Sequence, residues 1–301
     1  MAKKRATKDE PRFGALILSH GRAANVVTAN TLRKFGYSGR IVLVVDNEDP
    51  TVDEYREKFG AENVVVFDKE KAAEIVDVMD NQGHRRGVVY ARNATFEIAK
   101  ELGFSHFIML DDDYIDWRWC FGSDRRFHQP TIASLDRVFA AMVRFLDSTP
   151  TTTLCLSQGG DFIGGQNSGN LDAINLGRKG KRKAMNTFVC RVDRPFRFSG
   201  RINEDVNAYV FLGATGTLFF TTNCARVTQY QTQTNQGGLT ELYRDSGTYV
   251  KSFYTVLGAP SCVKVAPLTT KFPRWHHRIN WKHAVPKILR EEVRNRGRSS
   301  R

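Results

Sequence analysis

The sequence predicts an α/β protein in which a largely parallel sheet is flanked by helices, on three observations. Short apolar runs at residues 15–18, 40–45, 63–67 and 107–110 recur with helical-period segments between them, the rhythm of successive β-α-β units. The fourth run ends directly in three carboxylates, Asp111, Asp112 and Asp113, at the carboxyl end of a strand, where open α/β sheets bind ligands. The 301 residues, 41% of them apolar, suffice for one elaborated domain.

Residues 1–12 carry five Lys or Arg against two acids and no apolar period, and read as a mobile basic tail, with order expected from Phe13. Strand 15–18 runs into Ser19-His20-Gly21-Arg22. Ala24, Val27, Thr31 and Phe35 then mark the inner face of a helix. A glycine-containing loop joining a first strand to a helix places backbone N–H groups and Arg22 where a phosphate or nucleobase can approach, although many first loops share this composition. Strand 40–45 ends in Asp46, which can accept hydrogen bonds from a ribose or pyrimidine, or simply cap a turn. A short helix ending at Gly60 and strand 63–67 complete the third unit. Ala91, Ala94, Ile98 and Leu102 form the apolar stripe of the next helix, and Gly103 stands where a left-handed C-terminal residue is wanted. The triplet that follows strand 107–110 is self-repulsive unless a cation or strong donors neutralise it; the alternative is an acidic turn left in water.

In the extended segment 114–119, Trp117 and Trp119 share a face, suited to stacking on a planar acceptor or to burial under the following loop. Ile132, Leu135, Phe139, Met142 and Leu146 define a core helix. Residues 157–183 are rich in Gly and loop-like. They end in Arg178, Lys179, Lys181, Arg182 and Lys183, and residues 178–201 hold nine basic side chains against one acid. This run alternates with Phe188, Phe196 and Phe198, a pattern read as a surface for a polyanion backbone, against the plainer alternative of a solvated face. Asn203 is a suitable N-cap, with Glu204 and Asp205 in the first turn of the helix it opens. Beyond it a strand at 216–222, an edge hairpin over 227–234, a helix at 249–257 ended by Gly258, and a last strand at 262–266 are expected. Residues 271–283 concentrate His276, His277 and His283 among two Trp and four basic residues, and 287–301 read as a basic helix end and tail.

No run approaches the roughly 20 apolar residues of a membrane span, and Met1 to Arg5 lack a signal-peptide core, so a soluble cytoplasmic protein is expected. Five widely spaced cysteines support neither a disulfide framework nor a zinc knuckle. The net charge of +13 attracts polyanions such as DNA or acidic glycans.

An Arg92-Asn93 helix, an apolar strand, Asp111-Asp112-Asp113, and a later Glu204-Asp205 behind a Gly-rich loop together resemble the GT-A glycosyltransferases. The resemblance implies a GT-A-like Rossmann-type sheet over 13–285, with a nucleotide-sugar half (13–115) and an acceptor half (116–285), between tails at 1–12 and 286–301. By it, Asp111 and Asp113 hold Mn2+ or Mg2+ on the donor diphosphate, and Asp112, Arg92, Asp46, Ser19, His20 and Arg22 contact a nucleotide sugar, UDP-linked. Asp205 is the catalytic base with Glu204 positioning, and one of His276, His277 and His283 completes the metal shell, the alternative for all three being phosphate contacts or plain surface residues. Within that fold, the basic surface looks most like the phage-type DNA base glycosyltransferases of the TET/JBP-associated group, the cytoplasm then being the host's. This implies a 5-hydroxymethylpyrimidine acceptor in DNA, with Trp117, Trp119 and residues 178–183 as DNA contacts. An anionic glycan or protein acceptor, or a non-catalytic DNA-binding module, remain the alternatives.

Overall fold

The computed structural model describes residues 12–123, 129–158, 187–230, 250–268 and 273–296. Its first half realises the expected rhythm: β1 (Phe13–Leu18), α1 (Thr28–Lys34), β2 (Arg40–Asp46), α2 (Val52–Phe59), β3 (Val64–Phe67), α3 (Lys69–Ala73), α4 (Val89–Glu101) and β4 (His106–Asp111). Then come β5 (Tyr114–Trp119), α5 (Leu135–Ser148), β6 (Thr153–Gln158), β7 (Phe188–Arg191), α6 (Glu204–Ala214) and β8 (Phe219–Gln229). The chain closes with α7 (Val250–Gly258), β9 (Val263–Leu268), β10 (Arg274–Ile279), α8 (Trp281–Ala284) and α9 (Glu291–Arg296).

Eight strands make one sheet in the order β3-β2-β1-β4-β7-β6-β8-β5, with β1 to β4 parallel. The strand order reverses between β1 and β4, so the loops leaving these two strands diverge and open a crevice at their carboxyl ends. Period two divides the sheet residues cleanly. Ala15, Ile17, Leu43, Ile108 and Leu110 face α1, α2 and α5, whereas Leu16, Leu18, Val42, Phe107 and Met109 face α4 and α6. Gly103, at φ +72, ends α4 as expected, and its N–H bonds the Lys100 carbonyl.

Several local expectations are corrected. Ala24 is exposed, because the chain makes a 3-10 turn at Ala23–Asn25 and α1 starts only at Thr28, burying Thr28, Ala29, Thr31 and Leu32. Val227 falls inside β8, one eleven-residue strand that pairs with β6 and, along its second half, with β5; the hairpin expected near Gln236 lies outside the described residues. The strand at 262–266 is not the last, since β9 pairs with the His-bearing β10 in a separate two-stranded sheet. The region expected as a C-terminal tail is packed as far as α9, where Val293 is buried and the Arg290 N–H bonds the Gly216 carbonyl. Among the described residues no helix is long and apolar enough to cross a membrane.

Candidate active site

The alternation that packs β4 also aims the acidic triplet. Asp111 continues the row of Phe107 and Met109 toward α4 and α6. There Arg92 donates from Nη2 to Asp111 Oδ1 at 2.9 Å and from Nε to Glu204 Oε1 at 2.8 Å. Arg92 is 2% exposed, with the Phe188 and Phe198 rings each 5.8 Å from its guanidinium carbon. One buried guanidinium therefore joins the end of β4 to the start of α6, Arg92 and Glu204 being 112 residues apart in sequence. Burial opposes the charge on Arg92, but Asp111, Glu204 and Asp205 outweigh it and hold its proton far above the ordinary range. Glu204 is pushed above the usual carboxylate range by burial, against the pull of Arg92. Asp205, half-buried in the same turn, accepts the Val206 N–H at 2.8 Å.

Asp112 points to the other face. It is 2% exposed, takes a hydrogen bond from the Ser19 hydroxyl, and pairs with Arg22 at 3.1 Å. Ser19 also meets the Tyr55 hydroxyl at 2.7 Å, and burial pushes that phenol up to about 12. Ser19 and Asp112, assigned to the donor from sequence, are thus committed to each other and to Arg22, which they orient. Arg22 keeps some exposure, and its buried Nε has no partner among the described residues. The backbone of the triplet is pinned as well: the Val27 and Thr28 N–H groups bond the Asp112 carbonyl, and the Tyr230 N–H bonds that of Asp113.

Asp113 is the carboxylate left over. Its Oδ1 is buried without a hydrogen-bond partner among the described residues, and burial together with Asp111 and Asp112 raises it to about 7. An orphaned, desolvated oxygen beside a second carboxylate is the chemistry a divalent cation relieves, so Asp111 and Asp113 fit a hard metal ion. Among the described residues no three His, Cys, Asp or Glu side chains converge on one point, so His276 and His277 do not join them. Pairing with β9 carries β10 onto α7, and His277 comes to rest 3.3 Å from the Asn203 amide nitrogen. The two histidine rings pack on each other at 4.2 Å. Asn203 itself is no side-chain cap. It is left-handed at φ 57, and its amide reaches the Lys251 carbonyl instead, tying the start of α6 to α7.

A fourth station lies at the end of β2. Asp46 is 5% exposed and is held by His20 Nδ1 at 2.7 Å and Lys69 Nζ at 3.1 Å. Burial would raise it, but the His20 hydrogen bond and charge and the Lys69 ammonium keep it below the usual range. Lys69 was not singled out from sequence; its one signal is a cation two residues beyond the apolar run of β3.

Two further expectations fail for packing reasons. Trp117 is fully buried, edge-on to Phe139 with ring centroids 6.0 Å apart, and stacks on no acceptor; Trp119, at the end of β5, is 37% exposed. Trp117→Ala is expected to lower stability by about 3–5 kcal/mol in urea denaturation, where an acceptor-contacting Trp would leave the midpoint almost unmoved. Phe188, Phe196 and Phe198 are core, stacked edge-to-face around Phe96 and Arg92. Arg194 is buried on the carbonyls of Leu146, Thr149 and Thr151, and Arg201 is buried against Asp80. Within 188–201, Arg194 and Arg201 are therefore structural, whereas Arg197 is exposed. Arg178, Lys179, Lys181, Arg182 and Lys183 lie outside the described residues. Asn93 is structural too, bonding both the N–H and the carbonyl of Phe198.

The acid triplet thus stands at the switch point of the sheet, where open α/β sheets bind ligands, and one arginine bridges it to Glu204. The sequence matches the TET-Associated Glycosyltransferase family over residues 14–238, and the chain belongs to that family. It is therefore a glycosyltransferase, which sets aside the non-catalytic DNA-binding alternative. No curated protein matches the sequence. Among solved structures, it is similar to a mannosyltransferase from Pyrobaculum calidifontis in complex with GDP-Man and Mn2+, at 12% identity and a TM-score of 0.49. That match covers 85% of this chain and 66% of the other, just under two thirds of the mannosyltransferase's length. A glucosyl-3-phosphoglycerate synthase from Mycobacterium tuberculosis, in complex with Mn2+, UDP and glucosyl-3-phosphoglycerate, matches at 12% identity and a TM-score of 0.45, covering 90% and 91% of the two chains.

Proposed function

We propose that this glycosyltransferase moves a sugar from a nucleotide-sugar donor, UDP-linked, to the hydroxyl of a 5-hydroxymethylpyrimidine base in DNA. The observation that carries the reading is the Arg92 bridge, which fixes the acid triplet and the Glu204-Asp205 pair in one site. Asp111 and Asp113 would hold Mn2+ or Mg2+, which supplies positive charge where the leaving diphosphate becomes negative. Two carboxylates are a sparse shell, so tight cation binding should require the nucleotide. Arg22, oriented by Asp112 and partly exposed, is the candidate cation for the donor phosphates. His20, half-exposed on Asp46, offers its other ring nitrogen to the base or ribose. Asp205 takes the proton of the acceptor hydroxyl as that oxygen attacks the anomeric carbon, and Glu204, locked on Arg92, keeps the first turn of α6 in place. The DNA acceptor is supported by the family's association and the net charge of +13. A base inside a duplex would have to be flipped out at a cost of a few kcal/mol. The reading is tested by mass spectrometry of hydroxymethylated DNA incubated with the protein and a panel of nucleotide sugars. A mass increment of one sugar is expected, and transfer to glycans alone would replace the DNA acceptor.

Asp113→Ala is expected to abolish Mn2+-dependent UDP binding in calorimetry while the fold survives, and unchanged affinity would remove the metal role from this residue. The raised pKa of Asp113 gives a second, metal-free test. Because the folded-state value of Asp113 lies above the unfolded one, its stabilising contribution is complete in acid and is lost as pH rises through about 7. Asp113→Asn removes that loss. The variant should therefore match the wild type near pH 4 and exceed it in urea midpoint at pH 8, a gap that stays closed if Asp113 titrates normally.

A further inference from the structure

A groove of about 810 Å3 opens between α5, the first half of β8 and the end of β5, well away from the acid triplet. The helix presents Arg137, Ala140, Ala141 and Arg144 to solvent, and the strand presents Phe220, 42% exposed, and Cys224. Trp119 closes one end, and Phe145 stands edge-on to Phe220 with centroids 5.5 Å apart. Among the described residues no carboxylate lines the groove. The acids of α5 that flank it are turned elsewhere, Asp136 to Ser38 and Asp147 to His106 and Arg191. Neither Arg137 nor Arg144 has an ion-pair partner among the described residues. Seven residues apart on one helix face, they stand about 10 Å apart along its axis.

We propose that this groove holds a strand of the DNA acceptor with unstacked bases, the bases against Trp119 and Phe220 and the phosphates on Arg137 and Arg144. Exposed aromatic rings beside guanidinium groups that have no acidic partner among the described residues match the two parts of a nucleotide, a π-face and an anion. The location fits an acceptor track. β8 runs from Phe220 past Cys224 and ends next to Tyr230, whose N–H holds the Asp113 carbonyl, about 20 Å beyond Cys224. The proposal rests on the DNA-acceptor reading above, and deepens it by naming where the flanking strand lies.

The test is fluorescence anisotropy with labelled hydroxymethylated oligonucleotides, single-stranded and duplex, at several salt concentrations. Arg137→Gln with Arg144→Gln should flatten the slope of log affinity against log salt by about 0.7 per lost contact on single strands. Trp119→Ala with Phe220→Ala should weaken binding by about fivefold to a hundredfold per stacked base and leave that slope unchanged. Because these variants alter partly buried positions, the wild-type chain supplies a second measurement. Cys224 is its one exposed cysteine, the other four being buried, so a photo-crosslinker on that thiol reports directly on the groove. Crosslinking to the oligonucleotide is expected. DNA binding without crosslinking, and with affinities unmoved in both variants, would overturn the groove assignment while leaving the acceptor standing; an acidic protein segment would then be the better occupant. Absence of any DNA binding by the wild type would overturn both.

Discussion

Arg92→Met is expected to abolish transfer and to lower stability by about 3–5 kcal/mol, the usual consequence of removing one member of a buried charge cluster. Met keeps the apolar stem but stops short of the guanidinium carbon that stands over Phe188 and Phe198, so the loss combines the missing charge with a small cavity. Without the guanidinium, Glu204 is left buried among carboxylates and will protonate, and Asp111 loses the donor that orients it. Arg92→Lys separates charge from geometry. An ammonium is a point charge that cannot present two divergent N–H groups to carboxylates on different elements. It should recover part of the stability and little of the turnover. Parallel urea titrations and donor-consumption assays read both quantities, and a Lys variant with full turnover would show that the bridge supplies only charge.

That bridge marks the boundary of what the sequence could disclose. The four parallel strands and α5 were legible because their burial is periodic, and the acid triplet because it interrupts an apolar run abruptly. The direction of each acid also follows from period two, once β4 is known to continue to Asp111. Nothing local, however, says that Arg92 meets a glutamate 112 residues later, and an arginine on a helix otherwise reads as a solvent or ligand contact. The aromatic residues at 188–198 were misread for a related reason. Charged neighbours there suggested a surface, but Arg194 and Arg201 are themselves buried on carbonyls and on Asp80, so charge density did not track exposure. Trp117 and Trp119 share a face, yet Phe139 covers only the first; alternation gives the face and not the depth. The strand β10 that carries the histidines escaped because a half-buried hairpin strand rich in polar residues lacks the apolar alternation that marks a strand.

Asp205→Asn is expected to reduce transfer by about 10²- to 10⁴-fold, the range of a lost general base, with donor affinity nearly unchanged. The amide is isosteric, and its oxygen can still accept the Val206 N–H, so the first turn of α6 keeps its geometry. What the amide cannot do is take a proton. The contrast with Glu204→Gln separates the two acids. Glu204 is buried on Arg92 and reaches the reaction through that contact, so its amide should weaken the bridge and cost stability as well as turnover. Asp205 has no ion-pair partner among the described residues and should cost turnover alone. Rapid-quench transfer assays at saturating donor, with urea midpoints for both variants, distinguish these patterns. Near-wild-type turnover in Asp205→Asn would move the base to another residue, and a large stability loss there would instead make Asp205 part of the scaffold that Arg92 holds.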